Sequence, residues 1–242
     1  MKCVIAGGDS LSISTKEKFD KLLASCNCQT EVREGFGMTE SVTASCLIPE
    51  KANKPGSCGL PYADTFYKIV DPTTDKELPA GEIGEIILRG PTVMLGYLNE
   101  AEETANTLRV REDGFTWLHT GDLGYMDEDG YIYYKQRLKR MIVSGGYNIY
   151  PQVIENVINS HENVLMSAVI GVPDQVMGQI CKAFITMKDK SVEQDKFIDE
   201  IKTLCKTNVA RYALPREYII LDEIPRTKVG KIAYNDLLEK YK

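Results

Sequence analysis

Gly35-Phe36-Gly37-Met38-Thr39-Glu40 sets an aromatic ring, a hydroxyl and a carboxylate among glycines that let a ligand come close to the backbone. The ring can stack on a base, Thr39 can hydrogen-bond a phosphate, and Glu40 can hold magnesium through oxygen. Taken alone, the same residues describe a strand-end turn with an exposed acid. Trp117-Leu-His-Thr-Gly-Asp122 places a carboxylate after a glycine turn, where it can accept both hydroxyls of a ribose. A plain hairpin turn would use the same Gly-Asp pair, and His119 reads better as a structural hydrogen-bonder than as a base. Arg137-Leu-Lys-Arg140 runs towards Ser144-Gly145-Gly146, as a charged linker or as a hinge beside a loop that a slender ligand can pass. Pro225-Arg-Thr-Lys-Val-Gly-Lys231 can present one ammonium to a phosphate or carboxylate as a mobile point charge, or be a solvated basic loop.

Three textures of sequence must position these groups. Residues 1–5 read as a strand, followed by Gly7 and Gly8, and Ser14 with Glu17 reads as a capping box for a helix burying Phe19, Leu22 and Leu23. Strand, glycine turn and helix make an α/β unit, which EVREGFGMTES continues as a strand running into a loop. Residues 54–136 alternate short apolar runs with Pro, Gly and Asp, and Asp113-Gly114 and Asp129-Gly130 signal hairpins. From residue 139 the pattern is that of a compact α+β domain. Pro151 opens a helix with Val153, Ile154, Val157 and Ile158 on one stripe, and VLMSAVIGV, ICKAFITM and EYIILDEIP read as strands. Ser191 with Gln194 opens a helix through Phe197, Ile198, Ile201 and Leu204, and Asn235 caps a last one.

The composition narrows the function classes. A hydrophobic content of 43% suffices for real cores, and a net charge of −6 argues against a sequence-independent grip on nucleic acid. No apolar run approaches the length of a membrane span, and the N-terminal apolar stretch is too short for a signal peptide. The 7 cysteines lack metal spacing, Cys26 and Cys28 having no second pair, which fits a reducing, cytoplasmic setting.

In this order the segments resemble the adenylate-forming superfamily of acyl-CoA synthetases, nonribosomal-peptide adenylation domains and luciferases. The likeness spans essentially the whole chain and is carried by GFGMTE, GEIGEIILRGPTVMLGYLNEAEET, WLHTGDLG, RLKRMIVSGGYNIYP and IPRTKVGKI. SGGYNIYP looks most like the acyl-CoA ligase branch. The resemblance implies an AMP-forming ligase that activates a small-molecule carboxylic acid with ATP and passes the acyl group to the thiol of CoA. It implies a mixed α/β and α+β fold. Residues 1–138 would form the end of a large N-terminal domain with a small distorted β-barrel, and residues 139–242 a small mobile C-terminal domain. It also implies residue roles. Phe36 and Gly37 lie at the adenine, Thr39 touches phosphate, Glu40 binds Mg2+, and Asp122 with Arg137 holds the ribose. Lys139 is the hinge, Lys231 serves adenylation, and Ser144, Gly145 and Gly146 approach the pantetheine arm. Gly7, Gly8 and Asp9 line the nucleotide and acyl pocket.

The family's Ser/Thr/Gly-rich phosphate loop is not found here, so the chain is expected to be an inactive part of a longer ligase. Gln136, Gln152 and Ala213 depart from the residues usual in the family at those positions. Two other readings stand beside the ligase: a non-catalytic AMP- or CoA-binding protein, and an enzyme loading a carrier-protein thiol. An incomplete sheet at the N-terminal edge would offer a route to dimerisation.

Overall fold

A computed structural model describes residues 2–8, 11, 13–228 and 230–241, apart from the side chain of Ser14. The chain divides into two units, one ending at Leu138 and the other beginning at Lys139. The fold is mixed α/β, and among the described residues no helix is long and apolar enough to cross a membrane.

The first unit holds two sheets. In the first, β1 (Val4–Ala6), β2 (Val32–Gly37), β3 (Ala44–Leu47) and β4 (Leu60–Pro61) pair in that order, β1 and β2 in parallel and the rest antiparallel. Helix α1 (Ile13–Ser25) makes the crossover between the parallel strands. It buries Lys16 and Leu23, one i,i+7 edge, while Phe19 and Leu22 stay exposed. The stripe expected from the sequence is therefore rotated: Lys16 pairs with Asp20 at 2.7 Å, and Asp20 accepts the Val32 amide at 2.7 Å, which ties this edge to β2. The helix begins at Ile13, so Ser14 is inside it rather than at its cap, and the side chain needed for the expected capping box lies outside the described residues.

The second sheet comprises β5 (Phe66–Val70), β6 (Gly84–Arg89), β7 (Leu108–Val110), β8 (Thr116–Met126) and β9 (Ile132–Arg137), with α2 (Ala101–Thr107) leading into β7. Its path is β5-β6-β8-β7, with β9 also on β8. Among the described residues the small distorted β-barrel implied by the resemblance is an open path, because β7 and β9 both pair with β8 and neither reaches β5. Both Asp-Gly signals are hairpin turns, with Gly114 at φ 75° and Gly130 at φ 84°. Phe36, Tyr67, Ile86, Leu118 and Ile132 share one core that spans the two sheets.

The second unit is a sheet covered on both faces. Strands β10 (Ile142–Ser144), β11 (Tyr147–Ile149), β12 (Val164–Asp174), β13 (Gly178–Met187) and β14 (Glu217–Ile220) run in the order β11-β10-β13-β12, with β14 also on β13. Side chains alternate across β12 and β13. Val169, Ala183 and Ile185 meet α3 (Pro151–Asn159) and α4 (Gln194–Asn208) on one face. Ala168, Ile170 and Phe184 meet α5 (Tyr234–Tyr241) on the other. That two-sided burial is why these strands read as near-continuous apolar runs.

Three local expectations are corrected here. Val153 is exposed while Glu155 takes a buried place on the α3 stripe. The N-cap of α4 is Glu193, without a side-chain cap bond, and Ser191 instead donates to Asp189 at 2.7 Å. Helix α5 starts at Tyr234, so Asn235 sits in its first turn.

Candidate functional site

Strands β1 and β2 are parallel, with Ala6 opposite Glu34, so their carboxyl ends emerge side by side. Gly7 and Gly8 follow one strand, and Gly37, Thr39 and Glu40 end or follow the other. The outside of such strand ends is where open α/β sheets take ligands. Asp9 lies outside the described residues. Gly8 has φ 87°, and a Cβ on Gly7 would lie 3.5 Å from the Gly35 carbonyl. A side chain on Gly37 would overlap the carbonyl of Thr43, because the chain doubles back over this glycine. The reversal runs through a short 3-10 turn at Thr39–Ser41 and then Val42 at φ 73°, ψ −60°, a strained place for a β-branched residue. Strain of this kind persists only where the surroundings hold it, and functional loops are where it collects. Gly37→Ala should lower the thermal midpoint of the first unit by about 10 °C or more, the scale of an overpacked backbone contact. Scanning calorimetry of the chain checks this; an unchanged midpoint would mean that the loop repacks freely.

Thr39 is exposed and Glu40 half-buried. Glu40 is held twice from the loop between β6 and α2: Tyr97 donates its phenol to Glu40 Oε1 at 2.8 Å, and the Met94 amide donates to the Glu40 carbonyl at 2.8 Å. Burial, and then the neighbouring Glu40, raise the Tyr97 phenol and keep it a donor. The sequence reading missed Tyr97, whose tie spans 57 positions.

Strand β9 links the other predicted groups of this unit. Its register sets Arg137 opposite Asp122 and Tyr134 opposite Gly124. Arg137 Nε lies 3.1 Å from Asp122 Oδ1, and Arg137 Nη1 donates to the Thr120 carbonyl at 3.2 Å. The Asp122 side chain is 3% exposed and that of Arg137 53%, so the guanidinium covers a buried carboxylate from the solvent side. Tyr134 stacks on Phe36 with ring centroids 6.2 Å apart. Phe36 is itself 8% exposed, which leaves a base only a narrow rim of the ring. His119 is buried and bonded through Nδ1 to Glu85 Oε2 at 3.0 Å, a structural partner of the kind expected for it.

In the second unit, Gly145 and Gly146 form the two-residue turn between β10 and β11, with Ser144 paired to Tyr147. Their φ values of 56° and 82° are those a primed hairpin turn requires, so turn geometry alone accounts for both glycines. Ser144 is buried, and a Cβ on Gly145 would press on Met177. Lys231 is exposed at the end of a tight loop in which Thr227 and Lys231 bond reciprocally, the Thr227 amide to the Lys231 carbonyl at 2.7 Å. Lys139 is exposed at the junction of the two units.

The same unit holds a buried ion pair that the sequence reading did not single out. Arg140 Nη2 lies 2.6 Å from Glu155 Oε1, which also accepts the Val169 amide at 2.8 Å, and the Arg140 guanidinium lies 3.6 Å over the Tyr234 ring. Burial pushes the Glu155 carboxyl up, while Arg140 and the Val169 amide draw it back. An acid on an otherwise apolar helical stripe was the available signal.

This architecture is that of the adenylate-forming enzymes. The crystal structure of the ATP-bound RpMatB-BxBclM chimera B1 superposes with a TM-score of 0.89 at 34% identity, over 99% of this chain and 46% of that one. The o-succinylbenzoate CoA synthetase of Bacillus subtilis, in complex with its acyl-adenylate intermediate, gives 0.84 at 30% identity, over 98% and 46%. The long-chain-fatty-acid–CoA ligase of Bacillus subtilis (strain 168) is 40% identical over 242 residues, 99% of this chain and 41% of the relative. The family model for the AMP-binding enzyme matches residues 1–98, and that for the AMP-binding enzyme C-terminal domain matches residues 153–231. The chain belongs to the AMP-binding enzyme family. It spans about two-fifths of the length of the curated relatives it matches.

Proposed function

We propose that this chain supplies the ribose-binding, hinge and adenylation-lysine elements of an AMP-forming acyl-CoA ligase. The observation that carries the reading is Asp122, a buried carboxylate on a bulge of β8 just after Gly121 at φ 66°, covered by Arg137. Support comes from the glycine-lined ends of β1 and β2, and from relatives whose names are those of CoA ligases. In the reaction, a carboxylate oxygen attacks the α-phosphorus of ATP and pyrophosphate leaves; the CoA thiol then attacks the acyl carbonyl and expels AMP. Negative charge crowds the first step, and the Lys231 ammonium stabilises it as it develops. Glu40 fits a magnesium ion: Tyr97 occupies one of its oxygens and the other is a hard donor, with the Thr39 hydroxyl in the same turn. A bound Mg2+ would neutralise phosphate charge there. Lys139 is the pivot that lets one chain serve two half-reactions.

The test completes this chain with the rest of the Bacillus subtilis relative and follows pyrophosphate and acyl-CoA. Lys231→Ala should cut pyrophosphate release by about 10²- to 10³-fold, the usual scale for losing one charge-stabilising group. Thioester formation from supplied acyl-adenylate should continue. If both steps fail together, Lys231 is not specific to adenylation; if carrier-protein thiols are acylated in preference to CoA, the acceptor is wrong. The chain by itself, without a phosphate loop in its sequence, should release no pyrophosphate.

A further inference from the structure

Glu85 lies 37 positions before Asp122 in the sequence, yet it faces the turn that aims it. In the pairing of β6 with β8, Glu85 is opposite Leu123 and Ile87 is opposite His119. One residue of β6, Ile86, therefore spans three of β8: Thr120, Gly121 and Asp122. Such a bulge breaks the ladder and re-aims a side chain, but leaves backbone groups to be satisfied by other means. The Thr120 hydroxyl donates to the Ile86 carbonyl at 2.6 Å and accepts the Asp122 amide at 3.0 Å. The remaining amide, that of Gly121, donates to Glu85 Oε1 at 3.0 Å.

The other Glu85 oxygen is also held. His119 Nδ1 lies 3.0 Å from Oε2, and the two residues are 6% and 5% exposed. His119 Nε2 faces Asp75 Oδ1 at 3.8 Å, and Asp75 in turn accepts two bonds from Arg111, from Nη1 to Oδ1 at 2.5 Å and from Nη2 to the backbone carbonyl at 2.7 Å. A chain of polar contacts thus runs from Arg111, through Asp75, His119 and Glu85, to the amide next to Asp122. A buried acid is retained only where its partners offset its desolvation, and here both oxygens have them.

We infer that Glu85, supported by His119, is a positioning residue that fixes the Gly121-Asp122 turn and so sets how well the protein discriminates for a ribose with both hydroxyls. The inference rests on the reading of Asp122 as the ribose ligand. Neither Glu85 nor His119 touches the nucleotide; both act through the Gly121 amide.

The test titrates the chain calorimetrically with two probes, AMP and 2′,3′-dideoxy-AMP, and reads the ratio of their affinities. A structural defect lowers both affinities; a misplaced Asp122 lowers only the ratio. Glu85→Ala should reduce the ratio about 10-fold, the scale of one lost charge-assisted hydrogen bond. Dideoxy-AMP affinity should stay within about 2-fold. Glu85→Gln keeps an oxygen for the Gly121 amide and should restore the ratio to within about 3-fold of the parent. If Glu85→Ala does not fold, His119→Leu carries the test, since it removes one support of Glu85 and should lower the ratio about 3-fold. An unchanged ratio in a folded variant, or equal loss for both probes, overturns the inference. A parent chain that binds AMP and its dideoxy analogue equally well instead sinks the Asp122 reading, and the inference with it.

Discussion

Asp122→Ala should weaken AMP binding to this chain by about 10²- to 10⁴-fold, because two ribose hydroxyls would each lose a hydrogen bond to a charged acceptor worth about 1.5–3 kcal/mol. The carboxylate is almost wholly buried and the Asp122 amide is held by the Thr120 hydroxyl, so little entropy remains to be lost on binding. On the proposed reading Arg137 would act as a gate, since its exposed guanidinium lies against the acid and would share or yield that oxygen to the sugar. Asp122→Asn keeps one acceptor oxygen and should lose less, about 10-fold. The folded state should survive both changes, since the partner left behind is a half-exposed arginine, and exposed ion pairs contribute about 1 kcal/mol or less. Calorimetric titration with AMP measures the affinities. Equal affinity of the parent and Asp122→Ala would remove the residue from the site.

Glu155→Ala should destabilise the second unit by about 3–5 kcal/mol, the cost of leaving a buried guanidinium without its partner. Arg140 has little else to turn to: its side chain is 17% exposed and lies against the Tyr234 ring. The Val169 amide loses its acceptor at the same time. For a domain of this size the thermal midpoint should fall by about 15 °C or more. The double replacement Arg140→Met with Glu155→Leu removes both charges and fills the space, and should recover most of the loss. Thermal unfolding of the parent, both single variants and the double variant forms a cycle. Additive single losses in that cycle would show that the two residues do not act as a pair.

The pair also defines the segment on which a hinge at Lys139 would depend. Arg137 is fastened within the first unit by Asp122 and Thr120, and Arg140 within the second by Glu155 and Tyr234. Only Leu138 and Lys139 stand between these anchors, so a swing would be concentrated in very few backbone angles.

Much of this was legible one segment at a time. The Asp-Gly dipeptides announced their hairpins because positive φ is a local demand. The apolar runs of β12 and β13 announced strands, which the structure buries on both faces, and the ordered motifs announced the family. The helix starts were read less well. Ser191 has the chemistry of a cap, yet the chain turns into α4 only after Glu193, and Asn235 falls inside α5. A cap depends on where the chain enters the helix, and packing decides that.

The sequence by itself determined which residue types stand where, the turns, the alternation of the strands and the family membership, since all of these follow from preferences acting over a few residues. The tertiary structure alone decided the partners. Tyr97 meets Glu40, Glu85 meets the Gly121 amide, and Arg140 meets Glu155 because of strand register, one bulge in β8 and the packing of α3 on β12. A shift of a single residue in the register of β6 against β8 would turn Glu85 to the opposite face, and nothing within a few residues of it specifies that register.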